Sequence, residues 1–445
     1  MAKLDLHRDT DTTSTFHHIR KAAFLACTAI LLTGALAVTP VQASSTAAAS
    51  SAGSQTGVML DGYALPFPSP PSFQKGVTMV PFRAIAEALN ISVQWSSASK
   101  KVTANGIVDG KQRQVVLTIG RTTAVVDGSA MKLAAGPIQI NGNVLVPLNF
   151  FSSQFGAQVS WNPGAKQVEI LSPKRDLHTR AFYAIRSFSD VSLLPQFDSV
   201  SFGWTRLDAG ARVVQNGAVF NWPQPSGEVT AESIVGDAAA AGTETYLMVF
   251  ADDAQGELSK LLRDASLRDA AADELVRLAS ENGFQGIQLD FEGLGRKTVP
   301  ASAAGLQKAA DDQKELTDFV SVLSGKAKSQ GLKLSLALQP LNGWFLGYDY
   351  AKLGAMADDI VVMAYAYGDE KSPEPLRSID EAIRLTLKQV PKEKVMLGVS
   401  FASENETSLP KVIGLAKRYN LKGAAFWRLG LPSQAEIQAV QKSVE

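Results

Sequence analysis

Three observations predict an α/β chain: a (β/α)8 TIM barrel preceded by a smaller α+β repeat domain. From His178 onward, eight short apolar runs alternate with helix-period segments. Ahead of them, a stretch of the chain repeats itself at a spacing of 66 residues. Between the two lies a polar junction, "SPKRDLH", containing Pro173.

The order of segments divides the 445 residues into four parts. Residues 1–43 read as a signal peptide: His17, His18, Arg20 and Lys21 precede the apolar run "AAFLACTAILLTGALAV", and "VQA" ending at Ala43 supplies small residues for cleavage. The competing reading is an uncleaved membrane anchor, since Ala22 to Val38 is close to the ~17 residues at the short end of spanning helices. Residues 44–56, "SSTAAASSAGSQT", have the small, polar composition of a flexible linker. Secretion or cell-wall association is the expected location.

Residues 57–172 hold the repeat. "VTMVPFRAIAEALNISVQWSSASKKVTA" from Val77 aligns with "NVLVPLNFFSSQFGAQVSWNPGAKQVEI" from Asn143, matching Pro81 with Pro147, Trp95 with Trp161 and Val102 with Val168. Each copy reads as a strand ending at Val-Pro, a short amphipathic helix, then a hairpin with the Trp on its first strand and alternating valines on its second. This segment resembles the copper amine oxidase N-terminal-like domain, although Asn149 stands where the first copy has Arg83. The expected role is a wall-adhesion or spacer module, and copper binding is not expected because His178 lies beyond the repeat.

Residues 173–445 carry the eight runs: "RAFYAIRSF", "FDSVSFGW", "TETYLMVFA", "FQGIQLDF", "LKLSLALQP", "DIVVMAYAY", "KVMLGVSFA" and "KGAAFWRLG". Continuous apolar strands alternating with helices indicate parallel pairing buried on both faces. The 268 residues from His178 onward suit a (β/α)8 barrel better than the competing doubly wound open sheet. Chemistry is then expected at the carboxyl ends of the strands.

Composition narrows that chemistry. Lys plus Arg and Asp plus Glu both number 43, so no net field gathers nucleic acid. Cys27 is the only cysteine, and three of four histidines (His7, His17, His18) also lie in or before the apolar leader. If the leader is removed, His178 alone cannot build a histidine metal cluster, so no metal or cofactor is expected and carboxylates remain. The fourth run supplies them. In "GFQGIQLDFEGLG", Gln288, Asp290 and Glu292 are spaced two apart, so they share one face of a strand with carboxylates roughly 7 Å apart. Two such groups raise each other's proton affinity, which lets one act as a general acid.

"QGIQLDFEGL" resembles the signature strand of the family 18 glycoside hydrolases, Asp-Gly-x-Asp-x-Asp-x-Glu, most closely in bacterial members linked to walls and spores. The resemblance implies that Glu292 is the general acid and Asp290 the carboxylate orienting the substrate's N-acetyl group, whose oxygen serves as nucleophile. The implied substrate is a polysaccharide containing N-acetylglucosamine, peptidoglycan or chitin. The resemblance further matches Tyr365 of "MAYAYG" to a phenol that binds the acetamide, and Trp427 of "GAAFWRLG" to the aromatic floor beneath the sugar.

Trp344 in "LNGWFLGYDY", with Phe188, Trp204, Phe345 and Tyr348, is expected to line a groove for neighbouring sugars; Asp252 and Asp253 are weaker candidates for contacts to sugar hydroxyls. Gln288, expected to hydrogen-bond Asp290, and Gln285 replace the first two acids of the signature, and Ala366 replaces an acid after the sixth strand. These departures keep a second reading open, a glycan-binding protein on the same barrel, and a third, a structural wall or spore-coat protein. Endo or exo cleavage, oligomeric state and the repeat domain's ligand are left open by the residues.

Overall fold

The computed structural model describes residues 57–298 and 300–445. The expected leader and linker, with Cys27, His7, His17 and His18, lie outside them.

In the repeat domain, strands Val77–Pro81 and Asn143–Pro147 pair antiparallel with Val80 opposite Val146. Each strand ends in its proline, which opens a seven-residue helix, Phe82–Ala88 or Leu148–Gln154. Proline suits a helix start, because its φ is already near the helical value and an N–H there would lack an intrahelical partner. A hairpin follows in both copies, pairing Trp95 with Val102 and Trp161 with Val168. The first hairpin grows into a five-stranded sheet, whereas the second captures strand Gly57–Leu60 in parallel register. Ile85, Val102, Val146, Phe151 and Val168 meet in one apolar core.

The remainder is a closed barrel of eight parallel strands: β1 (His178–Tyr183), β2 (Ser199–Leu207), β3 (Glu244–Ala251), β4 (Gly286–Phe291), β5 (Lys333–Leu338), β6 (Asp359–Val362), β7 (Val395–Ser400) and β8 (Gly423–Trp427). Pairing of β1 with both β2 and β8 closes the ring. All eight runs read as strands are strands. A two-residue strand, Val213–Val214, adds an antiparallel edge to β2, and β2 bulges between Gly203 and Thr205. Helices Ala265–Glu281 and Ala303–Ser329 precede β4 and β5. Alternate strand residues such as Ile287, Leu289 and Phe291 face outward into the main apolar core between strands and helices.

The inward residues at the amino end of the barrel are charged. Arg180, fully buried, donates to both carboxylate oxygens of Asp359 (2.9 and 3.0 Å), to Ser335 (2.6 Å) and to Ser199 (2.9 Å). Its guanidinium also lies 4.2 Å from the centre of the Tyr246 ring. Lys422 donates to the same Asp359 at 2.6 Å. Burial opposes ionisation of Asp359, but Arg180 and Lys422 outweigh it and hold the carboxyl well below its usual range.

The repeat domain rests on the barrel's helices. Asp61 accepts from the Ser172 N–H at 2.8 Å and abuts Gly414, where a Cβ would lie 2.3 Å from the aspartate's own. Asn90 donates to the Lys417 carbonyl at 2.9 Å.

Candidate active site at the carboxyl end of the barrel

Strand β4 builds the site by alternation. Gly286 has no side chain, and a Cβ there would sit 2.5 Å from the Tyr246 ring. Above it come Gln288, fully buried, then Asp290, 3% exposed. Glu292 follows one residue past the strand, anchored by its N–H to the Ala251 carbonyl at 2.8 Å. Its carboxylate accepts from the Gln339 amide at 2.7 Å.

Gln339 was not singled out in the sequence. It lies just beyond β5, the strand beside β4, and its carbonyl accepts from the buried Tyr350 hydroxyl at 2.9 Å. Tyr348 braces the other side, its hydroxyl donating to the Phe291 carbonyl at 2.9 Å. Burial and the neighbouring Glu292 push the Tyr348 phenol well up, so it stays a donor. This corrects the expectation that Tyr348 contacts sugar: it is buried and supports the backbone directly below Glu292.

The loops after β4 and β5 are joined through close backbone contacts. Leu346 donates to the Gly295 carbonyl at 2.9 Å, and the Gly295 N–H donates to the buried Asp312 carboxylate at 2.7 Å. Gly295 has φ +63°, and a Cβ there would meet the Gly347 nitrogen at 2.5 Å, so glycine is required. The junction displays Trp344, 59% exposed, with Phe345 partly buried behind it.

Tyr365 lies half-buried beyond β6, over Gly398, where an added Cβ would approach its ring to 3.1 Å. Trp427 ends β8, half-buried, its ring edge-on to Phe182 at 5.3 Å and tilted against Phe220 at 6.3 Å. Phe220 in turn stacks on Phe250 at 4.3 Å, and Phe250 pairs in register with Asp290. An aromatic floor therefore runs from Trp427 to the acidic strand. Phe220 comes from the long connection after β2, which carries no periodic signal.

Other expectations are corrected. Trp204 is buried outside the barrel against Phe202, Trp222 and Tyr183. Asp253 accepts from the Ser259 N–H and hydroxyl at 2.7 and 2.6 Å, a structural role. Gln288 does not bond Asp290: both of its amide atoms are buried without a hydrogen-bond partner. Its side chain lies a layer below Asp290 and is shielded from direct contact with a sugar. Gln285 is exposed at the opposite end of the barrel and accepts from the Thr245 N–H at 3.0 Å, so its departure from the signature does not reach the site. Phe188, 49% exposed, follows β1.

Comparison with known proteins supplies the lineage. The model of the glycosyl hydrolases family 18 matches residues 181–414, more than half of the chain. The chain belongs to this family. The model of the copper amine oxidase N-terminal domain matches residues 59–170. Among curated relatives, a Bacillus subtilis protein provisionally named a sporulation-specific glycosylase, YdhD, is 28% identical over 148 residues, 32% of each chain. The cortical fragment-lytic enzyme of the same organism is 25% identical over 148 residues, 31% of each. The chain thus spans about a third of the length of these relatives. A class V chitinase from Pseudomonas fluorescens Pf-5 shares the fold, with TM-score 0.50 and 18% identity over 60% of this chain and 100% of that one.

Proposed function

We propose that this family 18 member is an exported retaining glycosidase that cleaves glycan containing N-acetylglucosamine. The observation that carries the proposal is the column at the barrel mouth: Glu292 on the rim, held by Gln339 at 2.7 Å, above a buried Asp290 and beside the aromatic floor ending in Trp427. A carboxyl on the rim reaches a glycosidic oxygen, and a ring face suits the C–H face of a pyranose.

In this reading Glu292 gives its proton to the glycosidic oxygen as the bond to C1 breaks. The carbonyl oxygen of the sugar's own acetamide attacks C1 from the opposite face, and Asp290 accepts from the acetamide N–H and balances the positive charge that develops. The Tyr365 hydroxyl binds the acetamide. Glu292, now a carboxylate, takes a proton from water, which attacks C1 and restores the acetamide with retained configuration. Trp344 extends the groove to a neighbouring sugar.

Peptidoglycan is the preferred polymer over chitin, supported by the repeat domain as a wall-adhesion module and by a relative named for lysing cortical fragments. The leader-like residues 1–43 support export. The test is reducing-end release from peptidoglycan and chitin oligomers by residues 44–445. Replacing Glu292→Gln should lower the rate about 10²–10⁴-fold, the usual worth of a general acid. A second reading, a glycan-binding barrel, is favoured by the unpartnered amide of Gln288 and by Ala366. Binding without release of ends would select it.

A further inference from the structure

The turn after β6 carries a constraint that the proposed chemistry does not use. Ala366 has φ +60°, a left-handed conformation that a residue with a Cβ adopts only when its surroundings impose it. The imposing group is Glu374, whose two carboxylate oxygens accept from consecutive N–H groups, Ala366 at 2.8 Å and Tyr367 at 3.2 Å. Glu374 is 6% exposed, and its own N–H donates to Glu404 at 2.9 Å. Glu404, 4% exposed, keeps its second carboxylate oxygen buried without a hydrogen-bond partner. Its loop leaves β7 at Ser400, the register partner of Trp427, and Phe401 donates to the Trp427 carbonyl at 2.6 Å.

We propose that Glu374 and Glu404 are positioning residues of the acetamide pocket: they lock the turn that aims the Tyr365 phenol and tie it to the strand end bearing Trp427. This deepens the glycosidase reading and rests on it, since the acetamide is the group Tyr365 is aimed at. The ring of Tyr365 is then fixed from two sides, by the bare backbone of Gly398 beneath it and by the held turn that follows it. Burial, with Glu404 as the nearby acid, raises the proton affinity of Glu374 against the opposing effect of the two backbone N–H groups and Ser403, which fits a carboxyl committed to structure rather than to water.

The test is a double-mutant cycle read by binding of an N-acetylglucosamine tetramer to residues 44–445 in a Glu292→Gln background, with release of ends followed in parallel in the same variants with Glu292 intact. Glu374→Gln should weaken binding about tenfold, the worth of one well-placed hydrogen bond, as should Tyr365→Phe. The double variant should bind no more weakly than Tyr365→Phe alone. Losses that multiply, or unchanged affinity in a folded Glu374→Gln protein, would overturn the proposal. If Glu374→Gln does not fold, Ala366→Gly serves instead: it loosens the turn while leaving both carboxylates, and its loss should likewise vanish when Tyr365 is Phe. Tetramer binding with a coupled cycle but no release of ends would overturn the hydrolase reading and leave this one standing. If no tetramer binds to the parent background, the pocket is not an acetamide site and the positioning role falls.

Discussion

Glu292 reaches its position through its neighbours. A rim carboxylate swings freely unless something holds it, and here one amide, Gln339, does so at 2.7 Å while Tyr350 fixes the backbone of that same residue. Hydrogen bonds to charged groups contribute about 1.5–3 kcal/mol, so Gln339→Ala should lower kcat/KM roughly 10- to 100-fold. Thermal unfolding should stay within a few degrees of the parent, because Gln339 is only partly buried. An unchanged kcat/KM would mean that Glu292 is held by other contacts.

At the scale of elements, the proposed site depends on loops joined at the barrel mouth. Trp344 projects from the junction that Gly295 makes possible, so its ring contributes little to the fold and its exposed area is free for the proposed glycan. Trp344→Ala should raise KM for long glycan about three- to tenfold, the worth of one exposed stacking contact, with kcat on a short oligomer nearly unchanged. Equal losses on both substrates would place Trp344 outside the groove. The strands were legible because both faces of each are covered, and covered strands write themselves as apolar runs. The acidic column was legible because it interrupts such a run at period two. Gln339 and Phe220 were not, since a lone amide at a strand end and a ring in an irregular connection carry no period. Tyr348 and Trp204 were misread for a related reason: aromatic residues near strand ends look alike in sequence whether they face a groove or a helix.

Across the whole molecule, the barrel separates chemistry from stability along its axis, with the carboxylates of the proposed reaction at one end and the Arg180, Asp359 and Lys422 network at the other. Arg180 stayed hidden in the sequence because the two arginines of "RAFYAIRSF", Arg180 and Arg186, do not change the run's apolar character. Removing one member of a buried pair leaves the other charge without compensation, so Asp359→Asn should cost about 3–5 kcal/mol in urea unfolding at pH 7. Replacing both, Arg180→Met with Asp359→Leu, should recover much of that loss, since apolar groups of similar volume need no partner and the partly exposed Lys422 can turn to water. The pH dependence follows from the depressed folded-state pKa of Asp359. Its contribution is present in full above the ordinary aspartate value of about 3.9 and is lost as pH falls below that toward the folded-state value. The gap between parent and Asp359→Asn should therefore be widest at neutral pH and narrow progressively below about pH 4. If the single variant matched the parent at pH 7, the network would not be what holds the amino end of the barrel. The double variant should also keep the proposed glycan cleavage per folded molecule, because nothing in the network touches the mouth where Glu292 stands.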